Sequence, residues 1–197
     1  LMTGIFLDQH EVRDGLVNGL ALGKSVLNMF SYTAAFSVAA AMGGAVETTS
    51  VDLAKRSREL STAHFEANGF SMDNHRLVVM DVFDYFKYAK KKGLSYDLII
   101  IDPPSFARNK KRTFSANKDY HKLIAQSLDI LSEHGTIIAS TNAANMTVQQ
   151  FKKQLRKGLG DVSADFVNLQ QLPADFTVNP NDPTSNYLKV YTIRVNK

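Results

Sequence analysis

Short apolar runs alternate with segments of helical periodicity along almost the whole chain, and this alternation constrains the fold more than any other feature. Strands are predicted at residues 25–30, 48–53, 77–80, 98–101, 136–139, 166–172 and 188–195. Helices are predicted at residues 34–42, 54–67, 82–92, 120–131 and 147–157. Strands separated by helix-length crossovers predict an α/β fold with a doubly wound, mostly parallel seven-stranded sheet and helices on both faces.

Composition narrows the class of protein. The 197 residues are few for two ordinary domains, so one domain is expected over residues 1–197, with a lead-in segment at 1–24. The sequence has no cysteine, which excludes disulfides, thiolate metal sites and a cysteine nucleophile within it. The five histidines show no metal-ligand spacing, so no metal is expected. No apolar run approaches the ~18 residues that span a bilayer, and no signal peptide is visible. We therefore expect a cytoplasmic protein with no membrane partner.

Ligands of doubly wound sheets bind outside the carboxyl ends of the strands, so the residues that follow each strand are the candidate site. Asp52 ends the second predicted strand and suits the two hydroxyls of a ribose. Asp81, followed by Val82, ends the third and suits the exocyclic amine and ring of an adenine. Both aspartates have an alternative interpretation as helix N-caps, which stays open.

The first and fifth strands end in polar or small residues. The segment Asn28–Phe36 has no glycine in its turn, so the GxGxxG and P-loop phosphate patterns are absent. Asn142 follows the fifth strand, and its side chain is expected to face the same crevice. For these two strand ends the alternatives are a plain strand-to-helix turn and ordinary loop solvation.

The most specific signal is Asp102-Pro103-Pro104-Ser105-Phe106 after the fourth strand. Two prolines fix the backbone and remove two N–H donors, which leaves carbonyls and a carboxylate as acceptors. Such a rim suits a planar substrate that bears an amino or amide group, and Phe106 could stack on a base. The alternative is a rigid turn that ends the strand.

The net charge of +4 is unevenly distributed. No acidic residue lies between Asp102 and Asp119 or between Glu133 and Asp161, and both stretches are basic. The candidate contacts to the phosphates of a nucleic acid are Arg108, Lys110, Lys111, Arg112, Lys152 and Lys153. The alternative, that these charges form solvated faces, stays open.

Several motifs together resemble class I S-adenosylmethionine-dependent methyltransferases, and most specifically the bacterial large-subunit ribosomal RNA methyltransferases that carry an N-terminal RNA-binding PUA domain. The matching segments are Gly4–His10 with Arg13, Asn28–Phe36, Val51–Ala54, Asp102–Phe106 with Lys110, and Tyr187–Lys189. The resemblance covers nearly the whole chain. It implies that the family's N-terminal PUA domain is absent from these 197 residues. His10 stands where the family has arginine, and Ala34 where it has glycine.

The resemblance implies a Rossmann-like methyltransferase fold whose last strand is antiparallel, S-adenosylmethionine as cofactor and RNA as partner. Its cofactor-binding residues would be Gln9, Arg13, Asn28, Phe30, Ser31, Tyr32, Thr33, Asp52, Leu53, Asp81, Val82 and Asp102. Within this set, Asp52 would hold the ribose, Asp81 and Val82 the adenine, and the residues from 28 to 33, with Gln9 and Arg13, the methionine end. The acceptor base would be held by Asp102, Pro103, Pro104, Phe106 and Asn142.

The missing cysteine bears on the reaction. Some members of the family carry a catalytic cysteine after the fifth strand, and carbon-5 methylation of cytosine normally needs that thiolate. The absence of cysteine therefore disfavours carbon-5 methylation, and the pair Thr141-Asn142 resembles relatives that methylate a ring or amino nitrogen of a base. The resemblance thus implies methylation of a base nitrogen in large-subunit ribosomal RNA. The alternatives are carbon-5 methylation by an unconventional nucleophile, methylation of a protein or small molecule, and a catalytically silent RNA-binding module of the same fold.

Overall fold

The computed structural model describes residues 4–108 and 113–197. Within these residues seven strands form one sheet, in the order β3-β2-β1-β4-β7-β9-β8. They are β1 Ser25–Met29, β2 Glu47–Asp52, β3 His75–Val79, β4 Tyr96–Ile101, β7 Leu131–Thr141, β8 Ser163–Gln170 and β9 Lys189–Asn196. β9 pairs antiparallel with both β7 and β8, while the pairs from β3 to β7 are parallel. The predicted sheet and its antiparallel last strand are confirmed.

Helices cover both faces of the sheet. They are α1 His10–Gly15, α2 Ala35–Met42, α3 Lys55–Ala67, α4 Val82–Lys92, α5 Ala116–Leu128 and α6 Val148–Leu159. Local sequence explains several of the ends: α6 begins with a capping box between Thr147 and Gln150, and α4 ends at Gly93 with φ +65°. In the described part of the chain, no helix is both long and apolar enough to cross a bilayer.

The centre of the sheet is β4, whose residues Leu98 to Ile101 have no exposed surface. Ile99 and Ile101 join the cluster that includes the buried rings of α4 and α5, whereas Leu98 and Ile100 join the cluster under α1 and α2. Successive strand residues point to opposite faces, so a continuous apolar run signals a strand covered on both sides. This core fixes the carboxyl edge where the polar residues gather.

Three parts of the structure differ from the predicted elements, and the first is α1, which lies in the lead-in segment where no helix was predicted. β7 begins at Leu131 rather than near Thr136. Leu131 pairs with Tyr96 of β4, and the pairing is irregular between Tyr96 and Leu98. The polar residues just after Leu131 hide this first part of the strand from the sequence pattern. A separate antiparallel hairpin, β5 Phe106–Arg108 with β6 Thr113–Ser115, lies in a stretch for which no strand was predicted. Each of its strands is too short to show a clear alternation.

Candidate active site

The carboxyl edge of the sheet borders a cavity of about 1020 Å³, at the upper end of the usual range of ~300–1,000 Å³ for ligand pockets. Residues that follow β1, β2, β3, β4 and β7 all reach it, together with the lead-in segment and the hairpin. The predicted site residues that line it are Gln9, Arg13, Phe30, Ser31, Tyr32, Thr33, Asp52, Leu53, Asp81, Val82, Asp102, Pro103, Pro104, Arg108 and Asn142. The strand-end positions singled out in the sequence therefore converge.

The turn after β1, residues 30–34, is held in an uncommon backbone conformation. Phe30, Tyr32 and Ala34 have φ values of +59°, +49° and +61°, which side chains other than glycine rarely adopt. Backbone N–H groups of the turn find acceptors nearby: Ser31 donates to the Val51 carbonyl at 3.0 Å, and Ala34 to the Ser31 carbonyl at 2.7 Å. Ala34 thus keeps a left-handed conformation without the family's glycine.

Asp52 organises this turn. Its Oδ2 accepts from the Tyr32 backbone N–H at 2.9 Å, and its Oδ1 accepts from the Ala54 N–H at 2.8 Å and the Ser57 hydroxyl at 3.2 Å. The N-cap position of α3 is Ala54, so Asp52 is not itself the cap residue. The carboxylate stays partly exposed to the cavity, where it fixes the turn after β1 and the start of α3 together.

Asp81 fulfils the capping alternative while lining the cavity. Its Oδ1 accepts from the backbone N–H groups of Phe83 at 3.0 Å and Asp84 at 3.3 Å, which makes it the N-cap of α4. Val82 and Phe83, both buried, form the adjoining wall. Helix capping and ligand contact are compatible here because the cap lies at the mouth of the cavity.

The lead-in segment closes one side of the cavity. The Gln9 side chain, 4% exposed, donates from Nε2 to Asp102 Oδ2 at 2.9 Å. The ring of Phe6 lies 5.8 Å from that of Tyr32, and the Asp8 carboxylate accepts from the Tyr187 hydroxyl at 3.1 Å. Segments distant in sequence therefore hold the lead-in segment against the carboxyl edge.

Asp102 is half-buried in the wall of the cavity. Burial raises the pKa of its carboxyl above the ordinary value of 3.8, hydrogen bonds from Ser140 and Gln9 lower the pKa in part, and the charge of Asp8 raises it further. The hydroxyl of Tyr120 lies 2.8 Å from the Ile101 carbonyl oxygen and 2.9 Å from that of Ser140. Burial raises the pKa of Tyr120 well above its usual value, so this phenol remains neutral and ties the ends of β4 and β7 together.

The loop after β4 is braced against the end of β7. The Ser105 hydroxyl donates to Asn142 Oδ1 at 2.8 Å, and the Ser105 carbonyl accepts from the Ala116 N–H at 3.0 Å. Pro103 is buried and Pro104 exposed, and neither has an N–H group. The motif therefore forms a braced turn at the cavity, as its alternative interpretation predicts, and the acceptor-rich rim stays a prediction.

Phe106 does not line the cavity; its ring is 62% exposed on the outer side of the hairpin. Its predicted place is taken by Phe114, whose ring lies 6.2 Å from those of Phe30 and Phe83. Ala107 pairs with Phe114 and both line the cavity, whereas Phe106 pairs with Ser115. The two-residue period of a strand therefore turns Phe106 away.

Asn28 also departs from its predicted place. It is fully buried in β1, outside the cavity lining, and its Nδ2 donates to the Ser37 hydroxyl at 3.0 Å. Ser37 in turn lies 2.7 Å from the Ser50 hydroxyl. The strand pleat points the Asn28 side chain into the interior, where it joins α2 to β1 and β2, so this side chain does not reach the cavity.

The predicted basic contacts divide into separate groups. Arg108 is exposed at the cavity, while Lys110, Lys111 and Arg112 lie outside the described residues. Lys152 and Lys153 are on α6 and do not line the cavity. The Lys152 ammonium lies 5.0 Å from the Phe166 ring centre. The two lysines therefore belong to a different surface from Arg108.

Other lining residues escaped the sequence analysis. Among them are Asp8, Arg56, His64 and Phe114. Asp8 stands in the motif that includes Gln9, so that motif was the available signal, whereas Arg56 and His64 look like ordinary surface residues of a helix. Among the residues that the structure describes, no group of three or more His, Asp or Glu side chains is arranged to hold a metal.

Comparisons with known proteins agree with this geometry. A family profile described as "S-adenosylmethionine-dependent methyltransferase" matches residues 1–191. YwbD of Bacillus subtilis, a candidate ribosomal RNA large subunit methyltransferase, is 48% identical over 98% of this chain and 49% of its own length. Ribosomal RNA large subunit methyltransferase K of Neisseria meningitidis is 35% identical over 89% of this chain and 48% of its own length.

A solved structure extends the likeness to three dimensions. The crystal structure of SMU.776, a candidate methyltransferase complexed with SAH, has a TM-score of 0.97 at 72% identity, covering 99% of this chain and 51% of that one. The chain thus spans about half the length of these relatives. Since the profile covers almost all of the sequence and the strand-end residues converge on one cavity, the chain belongs to the family of S-adenosylmethionine-dependent methyltransferases.

Proposed function

We propose that this chain transfers a methyl group from S-adenosylmethionine to a base nitrogen of large-subunit ribosomal RNA. The observation that carries the proposal is that Asp102, Pro103 and Pro104 all line the cavity, in a turn that Ser105 braces against Asn142 and that has no N–H group at either proline. The relatives named for ribosomal RNA large subunit methylation support the substrate class. Such a substrate would also place the protein in the cytoplasm.

The donor set on one side of the cavity fits S-adenosylmethionine. Asp52 would accept from a ribose hydroxyl, and the Ser57 hydroxyl, its longest contact at 3.2 Å, is the partner most easily displaced. Asp81 and the apolar wall of Val82 would hold the adenine, while Arg13 and the turn at 30–34 would face the methionine end. When bound, the cofactor supplies an electrophilic methyl group on a sulfonium centre, which needs no acid to leave.

The other side of the cavity fits an amino-bearing base. The Asp102 carboxylate and the proline carbonyls accept from N–H groups and repel a ring edge that presents only acceptors. An exocyclic amine that gains a methyl group must release a proton, and the raised pKa of Asp102 makes its carboxylate a better proton acceptor than an ordinary aspartate. Holding the nitrogen in line with the methyl group supplies most of the acceleration.

The absence of cysteine from the 197 residues disfavours carbon-5 methylation of cytosine, because a serine or threonine hydroxyl is a far weaker nucleophile than a thiolate. Stacked bases in an RNA duplex cannot reach a cavity at a sheet edge, so we expect a single-stranded or flipped-out target. Arg56 and Arg108, both exposed at the cavity, would contact the flanking phosphates.

The test is nucleoside mass spectrometry of unmodified large-subunit ribosomal RNA after incubation with the protein and isotope-labelled S-adenosylmethionine. A labelled methyl group on a purine or pyrimidine nitrogen is the expected result. Labelled 5-methylcytosine would overturn the nitrogen assignment. Cofactor binding without label in any nucleoside would instead favour a protein or small-molecule substrate, or a silent RNA-binding module.

A further inference from the structure

We infer that Gln9 is a positioning residue for methyl transfer, which holds the Asp102 carboxylate in one orientation at the acceptor side of the cavity. The inference rests on the proposed function, because it concerns the group assigned to the acceptor nitrogen. It replaces the contact with the methionine end that the family resemblance implied for Gln9.

The geometry of Gln9 supports this role. Its Nε2 donates to Asp102 Oδ2 at 2.9 Å, and its Oε1 accepts from the Ser140 hydroxyl at 3.3 Å. The side chain therefore bridges the carboxyl ends of β4 and β7, which are neighbours in the sheet. At 4% exposure, Gln9 has little freedom to exchange these partners for water.

The orientation of the amide follows from its partners. A carboxylate only accepts hydrogen bonds, so the NH₂ group of Gln9 must face Asp102 and its oxygen must face Ser140. The ionised form of Asp102 gains most from this donor, whereas a protonated carboxyl would lose part of the bond. Gln9 therefore fixes the direction of the carboxylate and, together with Ser140, favours its charged form.

Apart from Ser140, the groups around Asp102 do not perform the same task. The charge of Asp8, on the lead-in segment, raises the pKa of Asp102 and so disfavours the ionised form. Tyr120 of α5 is neutral, and its hydroxyl points at backbone carbonyls. Arg13 and Arg108 line the same cavity but make no hydrogen bond to Asp102 in the described structure. Gln9 and Ser140 are the donors that offset the cost of burial.

The lead-in segment is built to keep Gln9 in place. Tyr187 holds Asp8, the residue before Gln9, and Phe6 packs against Tyr32 on the turn after β1. Arg13 Nη1 donates to the Phe6 carbonyl at 2.7 Å, which closes the segment on itself. Because Tyr187 is distant from Asp8 in sequence, Gln9 reaches Asp102 only after these segments have packed together.

The test compares Gln9→Met with Gln154→Met. Both variants remove an amide that bonds two elements, since Gln154 joins α6 to α5 through His121 and Asn117, yet Gln154 lies outside the cavity. The pKa of Asp102 is read by NMR of ¹³C-labelled aspartate carboxyls in the protein, with the signal identified by its loss in Asp102→Asn. We expect Gln9→Met to raise that pKa by about one unit, and Gln154→Met to leave it unchanged.

The kinetic counterpart is the pH profile of methyl transfer to unmodified ribosomal RNA. In Gln9→Met the acid limb should move up by about one pH unit and kcat should fall about 10-fold, while cofactor affinity stays within about twofold of the parent protein. A merely structural role would instead lower turnover at every pH and leave the acid limb in place. If Gln9→Met does not fold, Ser140→Ala tests the same bridge; because a hydrogen bond from Ser140 also lowers the pKa of Asp102, an upward shift at least as large is expected.

The inference is overturned if the pKa of Asp102 does not move in Gln9→Met or, where that variant does not fold, in Ser140→Ala. A pKa that moves in Gln9→Met, combined with no methyl on any base nitrogen by the parent protein, would refute the proposed function but leave the coupling of Gln9 to Asp102 standing. The two failures are therefore distinguishable.

Discussion

Two turns at the same edge of the sheet are held by opposite means. The turn after β1, residues 30–34, is held by its own backbone N–H groups, which donate hydrogen bonds to the Asp52 carboxylate and to nearby carbonyl groups. The turn after β4, residues 102–105, contains two prolines and is fastened by side chains, namely Gln9 on Asp102 and Ser105 on Asn142. The first turn uses its backbone N–H groups for its own structure, whereas the second lines the cavity with two prolines that have no N–H group.

Because of this difference, we expect substitutions in the two turns to have different effects on cofactor binding and on turnover. Asp52 is both a structural acceptor and a proposed ligand contact, so binding and local geometry should fail together when it is changed. Asp102 is braced from outside its own turn, so its chemistry should be separable from cofactor binding. The following predictions test that separation, from the largest expected effect to the smallest.

Asp102→Asn should abolish most turnover while leaving the cofactor bound. The amide cannot accept the proton that the substrate amine releases, and loss of such a group lowers rates by about 10²- to 10⁴-fold. Single-turnover methylation measures the rate, and isothermal titration measures the affinity for S-adenosylmethionine. Asp165→Asn, exposed on β8, is the matched control and should match the parent protein. Equal losses of rate and affinity would show that the two turns are not separable.

Asp52→Ala should weaken cofactor binding by about 100-fold, since hydrogen bonds to a charged acceptor contribute about 1.5–3 kcal/mol each. The Tyr32 N–H would lose its acceptor at the same time, which loosens the turn after β1. Isothermal titration measures the affinity, and Asp73→Ala, in a surface turn with Ser71, is the control. A loss below about threefold would argue against the ribose assignment.

Pro103→Ala should lower kcat/KM for RNA by about 10-fold, because it adds an N–H donor to the rim and loosens a turn that proline restricts by about 0.4–1 kcal/mol. Pro183→Ala, in the exposed turn Pro183–Ser185, makes the same chemical change away from the cavity and should leave kinetics unchanged. Steady-state assays of both variants measure kcat/KM for RNA. Similar kinetics in the two variants would mean that the acceptor-only rim has no role in recognition.

Asp102→Asn should also change how stability depends on pH. Because burial raises the pKa of Asp102 in the fold, the ionised carboxylate destabilises the folded protein above that pKa and not below 3.8. The variant should therefore gain stability at neutral pH, and the gain should disappear as pH falls through the raised pKa. Urea unfolding across that range tests the sign; a gain that persists at low pH contradicts it.

Ala34→Gly should have the smallest effect. Relief of the left-handed alanine, about 1–2 kcal/mol, offsets the added chain entropy and the loss of one buried methyl group of about 0.8 kcal/mol, so the net change in unfolding free energy should be near zero. Ala40→Gly, equally buried but helical, should cost about 2 kcal/mol. Thermal or urea unfolding measures both variants, and equal losses would mean that Ala34 carries no strain.

Much of the framework was predictable. The alternation of strands and crossovers predicts the order of elements, and the apolar run at 98–101 predicts a strand buried on both faces, as β4 is. The strand-end positions of Asp52, Asp81 and Asp102 predict that these carboxylates share one edge. The errors concern the directions of side chains: Asn28 points inward, and Phe106 points outward from a hairpin whose strands are too short to be recognised.

The sequence by itself determined the main elements and the class of the sheet, because hydrophobic periodicity and crossover length can be read from the linear sequence. It also determined that no thiolate chemistry is available within these residues. Tertiary structure decided the partners of each polar group. Gln9 meets Asp102 across 93 positions and Tyr187 meets Asp8 across 179, and no local pattern records such contacts. The orientation and the raised pKa of Asp102 depend on them, so they exist only after the lead-in segment packs against the sheet.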